Sequence, residues 1–143
     1  MATPRHSVSV AAAVVDDSNR VLAIRRADNA HWEPPGGVLE LDETIEDGVV
    51  REVFEETGLV VEPLALTGVY KNMRRGIVSL VFRCRVVSGT AVSGAETREC
   101  RWMTTEQLRA SMDEAYAVRL LDALQSDGPQ VRAHDGVSLF ATR

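Results

Sequence analysis

Gly37-Val38-Leu39-Glu40-Leu41-Asp42-Glu43-Thr44-Ile45-Glu46-Asp47-Gly48-Val49-Val50-Arg51-Glu52-Val53-Phe54-Glu55-Glu56-Thr57-Gly58-Leu59 joins a glycine turn to a segment crowded with carboxylates. Thr44 and Asp47 have the spacing of an N-terminal capping box, and Gly58 supplies a left-handed stop, so a helix is predicted from Thr44 to Thr57. At about 100° per residue, Glu52, Glu55 and Glu56 fall in one sector, with Val50, Val53 and Phe54 predicted nearly opposite as the core face. Like charges three and four residues apart repel by about 0.2–0.5 kcal/mol per pair, so a merely solvated helix gains nothing from this crowding. A hard divalent cation reverses the sign. Mg²⁺ takes oxygen ligands and bridges a few carboxylates to substrate phosphates, and Mn²⁺ fits similarly.

Upstream, Val8 to Val15 and Val21 to Ile24 are apolar runs around Asp16-Asp17-Ser18-Asn19, predicted as two hairpin-linked strands. Arg25 and Arg26 follow. Consecutive prolines and glycines in His31-Trp32-Glu33-Pro34-Pro35-Gly36-Gly37 exclude a helix and imply a shaped loop. Downstream, Val60 to Tyr70 and Ile77 to Val87 read as strands joined by a turn carrying Lys71, Arg74 and Arg75, which read as solvated. Arg98 to Met103 is a further strand. Thr104 and Gln107 repeat the capping spacing ahead of helical sequence, with a break allowed, to Gln125, and Asp135-Gly136 reads as a two-residue hairpin turn.

The 143 residues suit a single domain spanning 1–143, and 45% hydrophobic with 26% charged residues is globular composition. A net charge of −5 disfavours a protein that grips a nucleic acid polymer, and an acidic protein facing a phosphate needs a cation. Cys84 and Cys100 lack close ligand spacing and read as core residues, and His6, His31 and His134 show none either. No apolar run is long enough to span a bilayer, so no membrane partner is expected and a cytoplasmic location is the default. Trp32, Tyr70 and Trp102 read as core anchors rather than base-stacking platforms.

Five residues separate Gly37 from Glu43, and seven separate Glu43 from the run Arg51-Glu52-Val53-Phe54-Glu55-Glu56-Thr57-Gly58-Leu59. This resembles the Nudix box at every defined position. A looser similarity to the MutT-like branch extends to Arg25-Arg26, Pro35-Gly36-Gly37 and the segment Glu96-Thr97-Arg98-Glu99-Cys100-Arg101-Trp102. Many members have Gly before the first box glutamate where this chain has Asp42, a residue that tolerates left-handed backbone.

The resemblance implies an α/β (α+β) Nudix fold, a mixed β-sheet sandwiched between α-helices. It implies that the Gly37 carbonyl, Glu52 and Glu56 hold the catalytic metal, with Glu55 contributing to it or to a second ion. Glu43 and Arg51 match the family's structural pair. Glu96 and Glu56 are the leading general-base candidates, with Glu99 a nearby competitor and Glu52 counted among the catalytic carboxylates, while Arg25 is a candidate for substrate phosphates. The reaction implied is Mg²⁺-dependent hydrolysis of the diphosphate linkage in a small nucleotide, with a homodimer as the one protein partner considered. The proline that marks many ADP-ribose hydrolases beyond the box is absent, which ranks nucleoside triphosphates ahead of ADP-ribose and nucleotide sugars. The rival readings are a catalytically silent nucleotide-sensing Nudix domain and a purely structural acidic domain.

Overall fold

A computed structural model describes residues 2–125 and 127–141. Its elements run β1 (Ser7–Val14), β2 (Val21–Arg26), β3 (Trp32–Glu33), β4 (Gly36–Val38), α1 (Ile45–Thr57), β5 (Val60–Asn72), β6 (Ile77–Ser88), β7 (Thr97–Met103), α2 (Thr105–Ser111), α3 (Glu114–Ala123) and β8 (Gln130–His134). A five-stranded mixed sheet has the order β4-β1-β6-β5-β8, and a three-stranded antiparallel sheet has the order β3-β2-β7. In the larger sheet β1 lies parallel to β6 and β5 parallel to β8.

The alternation of β1 explains the sandwich. Val10, Ala12 and Val14 pack with Val49 and Val53 of α1, while Ala11 and Ala13 pack with Leu108 of α2 and with Ala117, Leu120 and Ala123 of α3. Side chains on a strand alternate between faces, so a strand apolar at every position is one buried on both. Helices therefore cover both faces, as the sequence implied.

Two local expectations need correction, and the break allowed in the last helical stretch is present. β1 and β2 do not form a hairpin within one sheet: they meet only at the isolated bridge Val15–Val21 and enter different sheets, because both edges of β1 are taken by β4 and β6. Asp135-Gly136 is not a two-residue hairpin turn. The chain does reverse there, but over the longer turn 135–138, closed by the Asp135 N–H to Ser138 O bond and flanked by the isolated antiparallel bridge His134–Leu139, while β8 pairs along β5. The helical stretch after Thr104 breaks into α2 and α3 at Met112, whose backbone is extended. The capping box there is complete, with Thr104 and Gln107 bonded reciprocally.

Candidate active site

Helix α1 begins as its sequence dictates: the Thr44 side chain accepts from the Asp47 N–H, and Gly58 ends it at φ 78°. Its orientation differs from the expected one. The buried face is Gly48, Val49, Val53, Glu56 and Thr57, whereas Phe54 is exposed. Val49, Val53 and Glu56 share one side of a 3.6-residue helix, so the core face carries one of the three carboxylates into the protein with it.

That carboxylate is held tightly. Glu56 is 5% exposed, and its Oε1 accepts the Gly36 N–H at 2.6 Å. Burial, reinforced by the charges of Glu52 and Glu33, pushes its pKa up to about 8. Glu52 is half-buried and also raised, chiefly by burial, with Glu55 and Glu96 adding repulsion. Glu55 is exposed. Glu96 sits in the bend just before β7, near enough for its charge to be felt at Glu52, while Glu99 pairs with Arg101 at 2.7 Å.

Arg51 gathers the rest. Its Nε and one terminal nitrogen donate to the two oxygens of Glu43 at 2.8 and 2.6 Å, and the same nitrogen donates to Val38 O at 3.1 Å. The other terminal nitrogen donates to Glu52 at 2.8 Å and to Glu55 at 3.2 Å. This bidentate fork bridges the strand after Gly37, the loop at Glu43 and the helix. The Arg51 guanidinium holds the Glu43 carboxyl down at about 2.

Two adjacent glycines bring backbone against this cluster for different reasons. A Cβ on Gly36 would collide with the Val10 carbonyl and the Ala11 backbone, whereas one on Gly37 would stand 2.6 Å from the Glu52 carboxylate. Backbone cannot yield as a side chain can. Gly36→Ala is therefore expected to lower the melting temperature markedly. Gly37→Ala is expected to leave folding largely intact while displacing Glu52 and cutting turnover. Thermal melts and initial rates on the two variants check this, and equal effects of both on stability would contradict it.

Gly36, Gly37 and Val38 also line a cleft of about 750 Å³ that extends to Arg74 and Arg75 in the β5–β6 turn, to Tyr116 and Arg119 on α3, and to the turn at Asp135-Gly136. The carboxylates of Glu52 and Glu56 thus stand beside the glycine strand that lines the cleft. Arg25 is not part of that lining. Its Nε donates to Ala30 O at 2.9 Å, and a bulge between Arg25 and Arg26 turns Arg26 to the cleft instead. Arg26 is forked onto Asp28, both bonds at 2.9 Å, and lies 3.9 Å from Glu33. Arg26, Glu33, Arg119 and the cleft position of Arg74 and Arg75 escaped the sequence reading. Strand alternation signals that only one of Arg25 and Arg26 can face the cleft, but the bulge that selects it is silent in sequence.

The aromatic residues behave as anchors. Tyr70 is fully buried, Trp102 packs on the α1 side of the core, and Trp32 lies under the guanidinium of Arg101 at 4.9 Å. Cys84 is buried, with its thiol pushed up to about 12, whereas Cys100 is half-buried.

The donor set at α1 fits a hard divalent cation: it is all oxygen, the carboxylates repel one another, and the absent side chain of Gly37 lets backbone approach Glu52. Among the described residues no three acidic, imidazole or thiol groups are closed up on a common point. Arg51 bonds both Glu52 and Glu55, so a cation binding Glu52 competes with that guanidinium.

Glutamates of one helix thus stand behind a glycine strand that lines a large cleft. A family model for the NUDIX domain matches residues 5–124. The chain is 59% identical over 137 residues to a MutT-like protein of Streptomyces ambofaciens, covering 96% of this chain and 89% of that protein. It is 33% identical over 102 residues to an ADP-ribose pyrophosphatase of Methanocaldococcus jannaschii, covering 66% of this chain and 60% of that one. Among solved structures, a MutT protein from Methanosarcina mazei Go1 superposes at a TM-score of 0.70 and 25% identity, over 81% of this chain and 91% of that one. An ADP-ribose pyrophosphatase from Streptococcus suis superposes at 0.77 and 22% identity, over 89% and 99%, a likeness of fold. The chain belongs to the Nudix family and is a Nudix hydrolase. No helix among the described residues is long and apolar enough to cross a membrane.

Proposed function

We propose that the protein hydrolyses a nucleoside triphosphate to the monophosphate and pyrophosphate, using Mg²⁺, or Mn²⁺ in its place, held by the Gly37 carbonyl, Glu52, Glu55 and Glu56. The observation that carries this reading is the pair of half-buried Glu52 and buried Glu56 beside the Gly36-Gly37 strand that lines the cleft. When bound, the cation neutralises diphosphate oxygens and acidifies water. Glu56, held protonated near neutral pH by its burial, must release that proton as it becomes a ligand, so binding is coupled to pH. Glu96, whose carboxylate lies within electrostatic reach of Glu52, is our candidate to accept the proton of the attacking water, with Glu56 as its rival. Glu43 and Arg51 hold loop and helix in register. Arg74 and Arg75, exposed on the cleft wall, attract the polyphosphate. Arg25, engaged by Ala30 O, acts at most indirectly, by holding the turn beside Arg26.

Support for the triphosphate comes from similarity to a Bacillus subtilis relative named as a putative 8-oxo-dGTP diphosphatase and from the missing ADP-ribose proline. A second reading, ADP-ribose hydrolysis, is favoured by similarity to a relative named for that activity. Initial rates with Mg²⁺ on a nucleoside triphosphate and on ADP-ribose separate them, with the triphosphate expected to be faster. A tenfold preference for ADP-ribose, about 1.4 kcal/mol in the barrier, would reverse the ranking. No turnover of either would overturn both rankings and leave another nucleoside diphosphate derivative, such as a nucleotide sugar, as the substrate.

A further inference from the structure

Arg119 projects from α3, on the face of the sheet opposite α1, and lines the same cleft. It is 8% exposed, and its Nε has no hydrogen-bond partner among the described residues. The rings of Tyr116 and Tyr70 flank the guanidinium at 5.0 and 5.4 Å. A buried arginine keeps its charge, so its donors require acceptors and its charge a counter-ion.

Among the described residues no acceptor is hydrogen-bonded to the Arg119 Nε, and the counter-charge felt there, that of Glu33, makes no hydrogen bond to it. Asp122, one turn further along α3, is already taken: Arg132 binds both of its oxygens at 2.8 Å, and the Tyr70 hydroxyl donates to it at 2.7 Å. Glu33 lies in the cleft but makes no hydrogen bond to Arg119 among the described residues, and Asp135 accepts backbone N–H groups of its own turn. The remaining neighbour is His134, whose Nε2 lies 3.3 Å from a terminal nitrogen of Arg119. Gly136 N–H donates to His134 Nδ1 at 2.9 Å, so the neutral ring carries its proton on Nε2. Two donors therefore face each other, and His134 cannot serve as the acceptor.

We propose that Arg119 anchors a second anion subsite in the cleft, taking a phosphoryl oxyanion of the substrate on the side of the sheet away from the carboxylate helix. The proposal rests on the reading of a polyphosphate substrate given above. Arg119 lines the cleft, and a phosphoryl group offers what its guanidinium lacks there: a pair of acceptors for the fork and a directly bonded negative charge. A neutral base edge would satisfy the hydrogen bonds but leave the buried charge without a directly bonded counter-ion.

The test uses metal-free protein in chelator, so that it is independent of the carboxylate site. Inorganic phosphate and pyrophosphate are titrated calorimetrically into wild type and Arg119→Met, and both proteins are melted with and without pyrophosphate. Wild type is expected to bind pyrophosphate and melt higher in its presence, and Arg119→Met to bind at least tenfold more weakly. Without anion the variant is expected to melt no lower than wild type, since a buried charge with no hydrogen-bonded counter-ion has been replaced by an apolar chain of similar length. Equal binding by the two proteins, or a variant that melts lower by the same amount with and without pyrophosphate, would overturn the proposal. Should Arg119→Met fail to fold, Arg119→Lys keeps the charge without the fork, and undiminished binding by it overturns the forked contact. With Mg²⁺ present, the KM of Arg119→Met for the triphosphate is expected to rise tenfold or more, a larger change than in kcat. Lost pyrophosphate binding with an unchanged KM would mean that the subsite serves a free anion, not the substrate. If wild type hydrolyses nothing, the proposed function fails while the metal-free titration still reports on Arg119.

Discussion

Glu56→Gln is expected to reduce Mg²⁺-dependent hydrolysis on the order of 10³-fold, while making the metal-free protein more stable at pH 8 than the wild type. Gln keeps the oxygen that accepts the Gly36 N–H but removes the charge that burial opposes. Glu56 has a folded pKa of about 8 against an ordinary 4.5, so between those values the native state holds a proton that the unfolded chain has lost. The contribution of Glu56 to the stability of the metal-free wild type is therefore full below about pH 4.5 and declines as pH rises towards 8, because the unfolded state binds fewer protons. At about 1.4 kcal/mol per pKa unit the effect amounts to several kcal/mol. Glu56→Gln removes this slope. Saturating Mg²⁺ should reverse the order, since ligand binding to the native wild type adds stability that the variant largely lacks. Melting curves at pH 5 and pH 8, in chelator and in Mg²⁺, together with one rate measurement, check all three statements. A variant with undiminished hydrolysis would remove Glu56 from the metal site.

The second large effect is expected at Arg51. Arg51→Ala leaves Glu43, Glu52 and Glu55 without the guanidinium that bonds all three, and it frees the Val38 carbonyl. Turnover is expected to fall on the order of 10²-fold through misplacement of the helix against the glycine strand, and the melting temperature to fall by several degrees. Arg51→Lys should recover part of the charge balance but not the forked contact with Glu43, and so remain impaired. Wild-type rate and wild-type melting in Arg51→Ala would reduce the network to a surface contact.

The parts of this architecture written in local spacing were legible in the sequence. Thr44 and Gly58 bound α1, Thr104 and Gln107 open α2, and the segment from Gly37 to Leu59 sets the carboxylates on one helix. What required the structure was non-local. Strand apolarity places β1 in a buried sheet but does not say that β4 and β6 exclude β2 from it. Helical periodicity groups the glutamates but does not reveal that the sheet takes Val49 and Val53 rather than Phe54, and that choice is what buries Glu56. The site is also shaped by pairs far apart in the chain, such as Gly36 with Glu56, and Arg119 with His134, whose roles depend on contacts that no spacing rule encodes.

Metal binding by the α1 carboxylates is tested most directly by titrating Mn²⁺ into chelator-stripped protein and following the free-ion signal by electron paramagnetic resonance, with Mg²⁺ as competitor. Wild type is expected to bind Mn²⁺ in competition with Mg²⁺, more tightly as pH rises past 8 and Glu56 loses its proton, and the double variant Glu52→Gln, Glu56→Gln is expected to leave the ion free. Equal Mn²⁺ binding by a folded double variant would place the metal elsewhere and contradict the assignment.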